Sequence, residues 1–462
     1  MEKNCHPTAH LIGVCGTGMR ALAEVLLDQG WSVSGSDFSP PNPQMQRLIE
    51  RGLVFHQGHS DTNIPQSTQS VIYSPAVPKS NVERQVASIR QLPQFSYSQM
   101  VGKLMSQTTG VCVAGTHGKS TTTAMTAKIL ESAGRLSSVV LGAELCDSGR
   151  SGWVGNGDLL VAESCEFQQS FLDFSPKYTA ILSIEPDHFD CYADPQSLQS
   201  AFTEFAQQTA SDGILLTNAD CPVSQKVSAD AKTNAKRVSF GLNASADWQA
   251  VHIEQTSDGS RFLLQHHGND VTSIEIPLHG RHNLWNALAA SAFCAEIGVR
   301  PDIIRDSLSR FHGIRRRLEF VGQSNGVIFV DDYAHHPTAV KITLETLRNI
   351  VGNRIIRCVF QPHQVLRTKT LMDDFASSFS LADEVLVAPV FAARESVSDE
   401  PLSVSRELAH RISSHGVPAR FFTSLDQIVS TLDDAMRPGD VIVTMGAGDI
   451  DRIYHELTQR IQ

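Results

Sequence analysis

Lys119 and Ser120, near the end of the run VAGTHGKSTTT (113–123), are the residues whose types and spacing point most directly to chemistry. An apolar stretch turns through glycines into a lysine and hydroxyls. Backbone N–H groups leading into a helix N-terminus form a cage of partial positive charge for phosphate oxygens. Lys119 adds a mobile full charge, Ser120 supplies the hydroxyl that such loops place on Mg2+, and Thr121, Thr122 and Thr123 start the helix. The strict pattern has a glycine five positions before Gly118, where this chain has Val113, and its first glycine is Gly115. Strand-like VCVA precedes the loop and helical TAMTAKILESAG follows it, a context that favours nucleotide binding over an ordinary turn.

Other residues gather at the ends of apolar runs. Glu163 in VAESCE ends such a run directly, the placement expected of a carboxylate on a nucleotide's metal, whereas Glu166 reads as a loop acid. His188 in SIEPDHFD lies among Glu185, Asp187 and Asp190, and that setting is as compatible with surface hydrogen bonding as with metal ligation. Arg315, Arg316 and Arg317 form a triplet suited to phosphoryl charge, or equally a solvated run. DDYAHHP (331–337) and QPHQVLRT, with His363 and Arg367, bring acids, a phenol, imidazoles and a guanidinium to two further strand ends. The spacing of the first does not suit structural zinc. Near the N-terminus, Gly13, Gly16 and Gly18 with Asp37 about twenty residues on follow the pattern of a dinucleotide-type turn, a weak signal by itself. No serine-nucleophile elbow or HExxH helix is present.

These residues need a scaffold that repeats strand, turn and helix. The fold class expected is α/β with three domains: an N-terminal Rossmann-like domain (1–106), a central P-loop ATPase-like domain with a mostly parallel sheet (107–313), and a C-terminal Rossmann-like domain (314–462). At 462 residues the chain exceeds one ordinary core. Within the central part, RFLLQHHGNDVTSIEIPL reads as a small antiparallel side sheet, and GRHNLWNALAASAFCAEIG as a loop entering a long helix. A net charge of -11 argues against nucleic-acid and anionic-membrane partners. Nine cysteines without a CxxC pair, and no apolar stretch long enough for a bilayer or a signal core, lead to the expectation of a cytoplasmic protein.

Taken in order, GVCGTGM, SGSD, AGTHGKSTTT, ESCE, EPDHFD, GRHN, RRRLEF, VDDYAHHP, FQPH and GAGD resemble the Mur ligases of peptidoglycan synthesis over nearly the full length. The pattern is most similar to the alanine-adding branch, whose loop shares the Gly115 spelling. The resemblance implies ATP-driven amide formation between UDP-N-acetylmuramate and L-alanine through an acyl phosphate, with ATP and two Mg2+ ions. By the same resemblance Gly115, Thr116, His117, Gly118, Lys119, Ser120 and Thr121 would hold the phosphates. Ser120 and Glu163 would take one Mg2+ and His188 a second. His282, Asn283 and Asn286 would lie near adenine, Asp332 at the ribose and Arg317 at the γ-phosphate, with the third domain closing on ATP. Gly13, Gly16, Thr17, Gly18, Met19, Ser36 and Asp37 would receive the UDP moiety. Tyr333, His336, His363 and Arg367 would surround the amino acid and the reacting carboxylate. The chain departs from the family at Ser120, usually threonine, at Gln364, commonly arginine, and in SYSQM, where an arginine is usual. The recycling ligase that attaches a preformed tripeptide to UDP-N-acetylmuramate and a non-catalytic nucleotide-binding homologue are the alternatives.

Overall fold

The computed structural model describes residues 6–242, 245–393, 395 and 400–461. They divide into two compact units, the second comprising the chain from Arg315 onward together with Asp187–Ala193 and His279–His282. Two short pieces of the expected central domain therefore group with the C-terminal part, which the strand rhythm of the sequence does not disclose.

In the first unit a five-stranded parallel sheet runs in the order Val54–Gln57, Ser32–Asp37, Thr8–Ile12, Ser70–Tyr73, Gln94–Ser96. Its first strand turns at Gly13 into the helix Thr17–Asp28, whose Leu22, Val25 and Leu26 are buried at helical spacing. A ten-stranded sheet follows, with Thr109–Ala114 between Pro176–Ile181 and Leu159–Glu163. Its central strands are continuous apolar runs because both faces are covered. The expected side sheet is not separate. Trp248–Thr256, Gly259–His266 and Asn269–Ile276 are antiparallel to one another, but Trp248 and Gln249 pair in parallel with Phe240 and Gly241, so the hairpins extend the central sheet. Phe262, Leu264, Ile274 and Ile276 carry its apolar core outward.

The second unit has a six-stranded sheet ordered Glu319–Ser324, Val327–Asp332, Val441–Met445, Ile356–Phe360, Glu384–Val387, Ala419–Phe421, parallel except for its first pair. Val327–Asp332, Val441–Met445 and Ile356–Phe360 are adjacent, so DDYAHHP, GAGD and QPH emerge side by side from one sheet edge. After Phe360 the chain forms two short helices, Val365–Thr370 and Met372–Ser377, because Leu371 leaves the helical region (φ −105°, ψ 23°).

Within the first unit, the helix Thr17–Asp28 lies against the strand Gly152–Val154. Glu24 Oε2 accepts the backbone N–H groups of Ser151 (2.8 Å) and Gly152 (2.6 Å), and burial raises its carboxyl pKa. A Cβ at Gly152 would stand 2.1 Å from the Ala21 carbonyl oxygen, so only glycine permits this approach. Gly152→Ala is expected to destabilise the first unit by about 1–3 kcal/mol, read as a lower urea midpoint by circular dichroism.

Candidate functional site

The N-terminal turn opens onto a cleft of about 540 Å³ lined by Gly13, Gly16, Asp37, Phe38 and His59 among others. Asp37 braces the turn rather than pointing only outward: Oδ2 accepts the Cys15 N–H and Oδ1 that of Ser39, both at 2.9 Å. Phe38 is 74% exposed and meets the His59 ring edge-on at 4.5 Å. Behind the cleft lies a buried carboxylate, Glu83, which accepts from Ser36 Oγ and from Asn63 Nδ2 (2.7 Å) and lies 3.1 Å from His59 Nδ1 and 3.6 Å from His10 Nε2. Burial alone would raise its pKa, but the nearby His10 ring and the bonds from Ser36 and Asn63 together outweigh burial and hold it at about 2. Two of the residues expected at the UDP moiety lie behind the cleft. Ser36 is fully buried with its hydroxyl committed to Glu83, and Met19 is a core residue at 3% exposure; neither lines the cleft. Thr17 opens the helix and Gly18 packs against Tyr97, whose ring carbon an added Cβ would meet at 3.0 Å.

The phosphate loop joins Thr109–Ala114 to the helix Lys119–Ser132. Gly115 (φ +136°) and Gly118 (φ +79°) both need glycine, and for spatial reasons as well: a Cβ would come 2.9 Å from Leu182 Cβ and 2.3 Å from Asn286 Oδ1, respectively. The unusual spelling reflects where neighbouring chain crowds the loop. Thr116 N–H donates to Ser183 O (2.6 Å), its hydroxyl pairs with the Glu185 backbone, and His117 Nε2 lies 3.2 Å from Glu185 Oε2. Thr121 is buried in the first helical turn. Asn286 sits beneath the loop within hydrogen-bond reach of Thr122 Oγ1 (3.3 Å) and of Asn283 Oδ1 (3.4 Å), so both asparagines help to hold the loop.

Ser120 Oγ donates to Glu163 Oε1 at 2.8 Å, and Glu163 Oε2 accepts the Gly142 N–H at 2.6 Å. A hydroxyl and a carboxylate converging at a helix N-terminus are hard oxygen donors of the kind Mg2+ takes. Lys119 Nζ is folded onto its own loop, donating to the carbonyls of Gly115 and Thr116 and lying 2.9 Å from Glu166 Oε2. Burial alone would lower its pKa, but the neighbours led by Glu166, with Cys165 and Glu163, together outweigh burial and raise it. Glu166, which the sequence presents as an ordinary loop acid, is 1% exposed and is the anion facing the phosphate lysine. Tyr97 is a second residue the sequence did not single out. Burial, then the charge of Glu163, pushes its phenol pKa up.

In the second unit the arginine triplet separates into distinct roles. Arg315 pairs with Glu319, and Arg316 with Asp331 (3.0 Å) and with the carbonyls of Gly446 and Gly448. Among the described residues no carboxylate pairs with Arg317, which lies 5.1 Å over the Tyr333 ring. Asp332, expected at a ribose, is 5% exposed, and its two oxygens accept the N–H groups of Leu318 and Ala334 at 2.7 Å; it pins the arginine turn to the strand end. His336 caps the helix Pro337–Val351 through Nδ1 and Thr338 N–H (3.3 Å). His282, in the first turn of its helix, has its pKa pushed down to about 4 by burial and then by Arg317.

Arg367 is 2% exposed and binds Asp187 Oδ1 through Nε and Nη2, both at 2.7 Å, while Nη1 lies 2.8 Å from His363 Nδ1. Its fork is thus engaged by protein groups, which sequence alone did not disclose. Asp187 is buried, which would raise its pKa, yet Arg367 and His188 hold it well below the usual carboxylate range. His188 (φ +53°) donates its backbone N–H to the same Asp187. His335, not singled out by its position in the sequence, hydrogen-bonds Tyr333 O (2.8 Å) and lies 5.7 Å from the His363 ring.

A glycine-cornered phosphate loop with its lysine, hydroxyl and neighbouring acid, set in a mostly parallel α/β sheet, defines a nucleotide-dependent phosphoryl-transfer protein. Family models match almost end to end: the catalytic domain of the Mur ligase family at residues 8–109, the Mur ligase middle domain at 113–294, and the Mur ligase glutamate ligase domain at 316–448. The chain belongs to the Mur ligase family. It is 38% identical over 449 residues to the UDP-N-acetylmuramate-L-alanine ligase of Desulfitobacterium hafniense, covering 97% of this chain and 98% of that one. The enzyme of the same name from Chlorobium phaeobacteroides (strain BS1) is 36% identical over 461 residues, covering 99% and 98%. Among solved structures, the UDP-N-acetylmuramate-alanine ligase of Thermotoga maritima aligns with a TM-score of 0.83 at 25% identity, covering 98% and 99% of the two chains. A murein peptide ligase from Psychrobacter arcticus aligns with a TM-score of 0.76 at 25% identity, covering 98% of each.

Gly118→Ala should push the loop off Asn286 and weaken ATP binding at least about tenfold, since strain and overpacking together exceed roughly 1.4 kcal/mol; calorimetric titration measures it. A second expectation concerns acid. Because Glu83 has a depressed folded pKa, its stabilisation is fully present above about pH 4.5 and is lost as pH falls from there towards 2, in total about 3 kcal/mol. The stability difference between the native chain and Glu83→Gln should shrink over that window in urea unfolding at stepped pH.

Proposed function

We propose that this chain joins L-alanine to UDP-N-acetylmuramate in an ATP-dependent ligation, the amide-forming step of peptidoglycan precursor synthesis that its full-length relatives are named for. The observation that carries the reading is the phosphate loop, where Ser120 meets Glu163 and Lys119 meets Glu166 in a chain matched by all three family models. In this reading residues 1–106 receive the UDP moiety in the cleft beside Phe38, residues 107–313 hold ATP, and residues 314–462 supply Arg317 and the acceptor site.

The chemistry suits these groups. A carboxylate is a poor electrophile. Its oxygen attacks the γ-phosphorus of ATP, the bond to the bridging oxygen breaks, and ADP leaves; the alanine nitrogen then attacks the acyl carbon, phosphate departs, and the ammonium loses a proton. Lys119 orients phosphate oxygens and offsets their charge, and the backbone N–H groups after Gly118 do the same without reorganising. Ser120 and Glu163 would hold Mg2+, which when bound neutralises charge between two anions. Arg317 is the guanidinium of the triplet with no carboxylate partner among the described residues, which supports its assignment to a transferring phosphoryl group. A second Mg2+ at His188 belongs to the same reading. No described helix is long and apolar enough to cross a membrane.

The test is phosphate release by purified protein with ATP, UDP-N-acetylmuramate and an acceptor. Release should require L-alanine, and Lys119→Ala should reduce it by at least about a hundredfold, the scale of losing a transition-state charge contact. Release with an L-alanyl tripeptide but not with free L-alanine would replace this reading with the recycling activity. No release with any pair would favour a non-catalytic role.

A further inference from the structure

The three N–H donors of the Lys119 ammonium are already spoken for. Two face loop carbonyls, Gly115 O and Thr116 O (3.3 Å), and the third direction is occupied by the Glu166 carboxylate at 2.9 and 3.1 Å. A nucleotide phosphate can engage this lysine only by taking a donor from one of them. The carbonyls belong to the loop that phosphate would itself occupy, while Glu166 is an anion in direct electrostatic competition with it. At 1% exposure Glu166 has no bulk water to fall back on, so separating it from Lys119 carries a desolvation cost that an exposed pair would not have.

The backbone beyond Glu166 is a strained bend anchored at its far end. Gln168 (φ +51°) and Gln169 (φ +56°) are consecutive non-glycine residues in the left-handed region, a conformation that strains residues with a Cβ. The bend is tied by Gln169 N–H to Glu166 O (2.9 Å) and by Ser170 Oγ to the Cys165 and Phe167 carbonyls. Its far end is anchored by Phe171, fully buried and stacked on Phe205 at 4.5 Å. A strained bend with one end fixed and the other ending in a carboxylate on the phosphate lysine is positioned to yield at the carboxylate end.

We propose that Glu166 is a positioning residue: the resident counter-anion that holds Lys119 against its loop until a nucleotide phosphate displaces it, and so sets nucleotide affinity. This rests on the reading of 113–123 as an ATP loop. Glu166 takes no part in the bond changes. Its effect falls on the nucleotide and not on the acceptor.

The experiment compares ATP binding and steady-state kinetics of the native chain, Glu166→Gln and Glu166→Asp. Glu166→Gln removes the competing charge and should tighten ATP about tenfold, the worth of one charge-assisted hydrogen bond, lowering the KM for ATP but not that for the amino acid. Glu166→Asp keeps the anion and should stay near native affinity. Unchanged or weaker ATP binding by Glu166→Gln would overturn the proposal, and weaker binding would point to Glu166 as a metal or phosphate-site ligand instead. Should the native chain bind no ATP at all, the nucleotide reading itself fails, which is a separate result. Hydrogen exchange on the native chain gives a check free of folding defects: ATP should change protection across 165–170, and no change there would equally overturn the proposal.

Discussion

The constraint on which the first unit depends is the close approach of other backbone and side chains to the phosphate loop. A loop that offers N–H groups to an anion must be held by contacts that commit only some of them, and here Thr116 N–H is the one spent, on Ser183 O. Here the hold comes from the extension of the strand Pro176–Ile181 on one side, through Ser183 and Glu185, and from Asn286 on the other. Gly115 and Gly118 are the positions where these supports come too near for a Cβ. The strand order follows from the same need: Thr109–Ala114 lies between Pro176–Ile181, which braces the loop, and Leu159–Glu163, which delivers Glu163 beside Ser120.

Much of this was legible in the residues because strand-end chemistry follows from pattern. Apolar runs ending in Glu163, Asp332, Phe360 or Met445 announce parallel strands, and the polar tips of the second sheet emerge at one edge, although the strand before GAGD, last in the chain, lies between those before DDYAHHP and QPH. The antiparallel hairpins were also evident by alternation, but their attachment to the central sheet was not, since it depends on two residue pairs, Phe240 with Trp248 and Gly241 with Gln249. Register of that kind leaves almost no trace in composition.

What sequence reading could not supply is the direction in which each acid faces. Asp37 and Asp332 look like ligand acids by position, and both spend oxygens on backbone N–H groups that shape the turns beside them. Arg367 looks like an anion receptor and is closed by Asp187, whose loop joins the second unit. Ser36 looks like a cleft residue and faces Glu83. In each case the polar side chain has a structural partner beside the site, which a one-dimensional pattern does not disclose.

Glu83 and Glu166 make the physical difference between two uses of a buried acid plain. Glu83 is surrounded by donors that are mostly neutral and permanently present, so its charge is satisfied by the fold and its pKa falls. Glu166 faces one cation, Lys119, which is the group proposed to orient nucleotide phosphate. The first arrangement fixes a cleft wall whatever the ligand does. The second couples the fold to the ligand, because whatever draws Lys119 away leaves a buried charge that must find a new partner or move. That asymmetry, rather than any difference in residue type or burial, separates a scaffold carboxylate from one that answers to nucleotide.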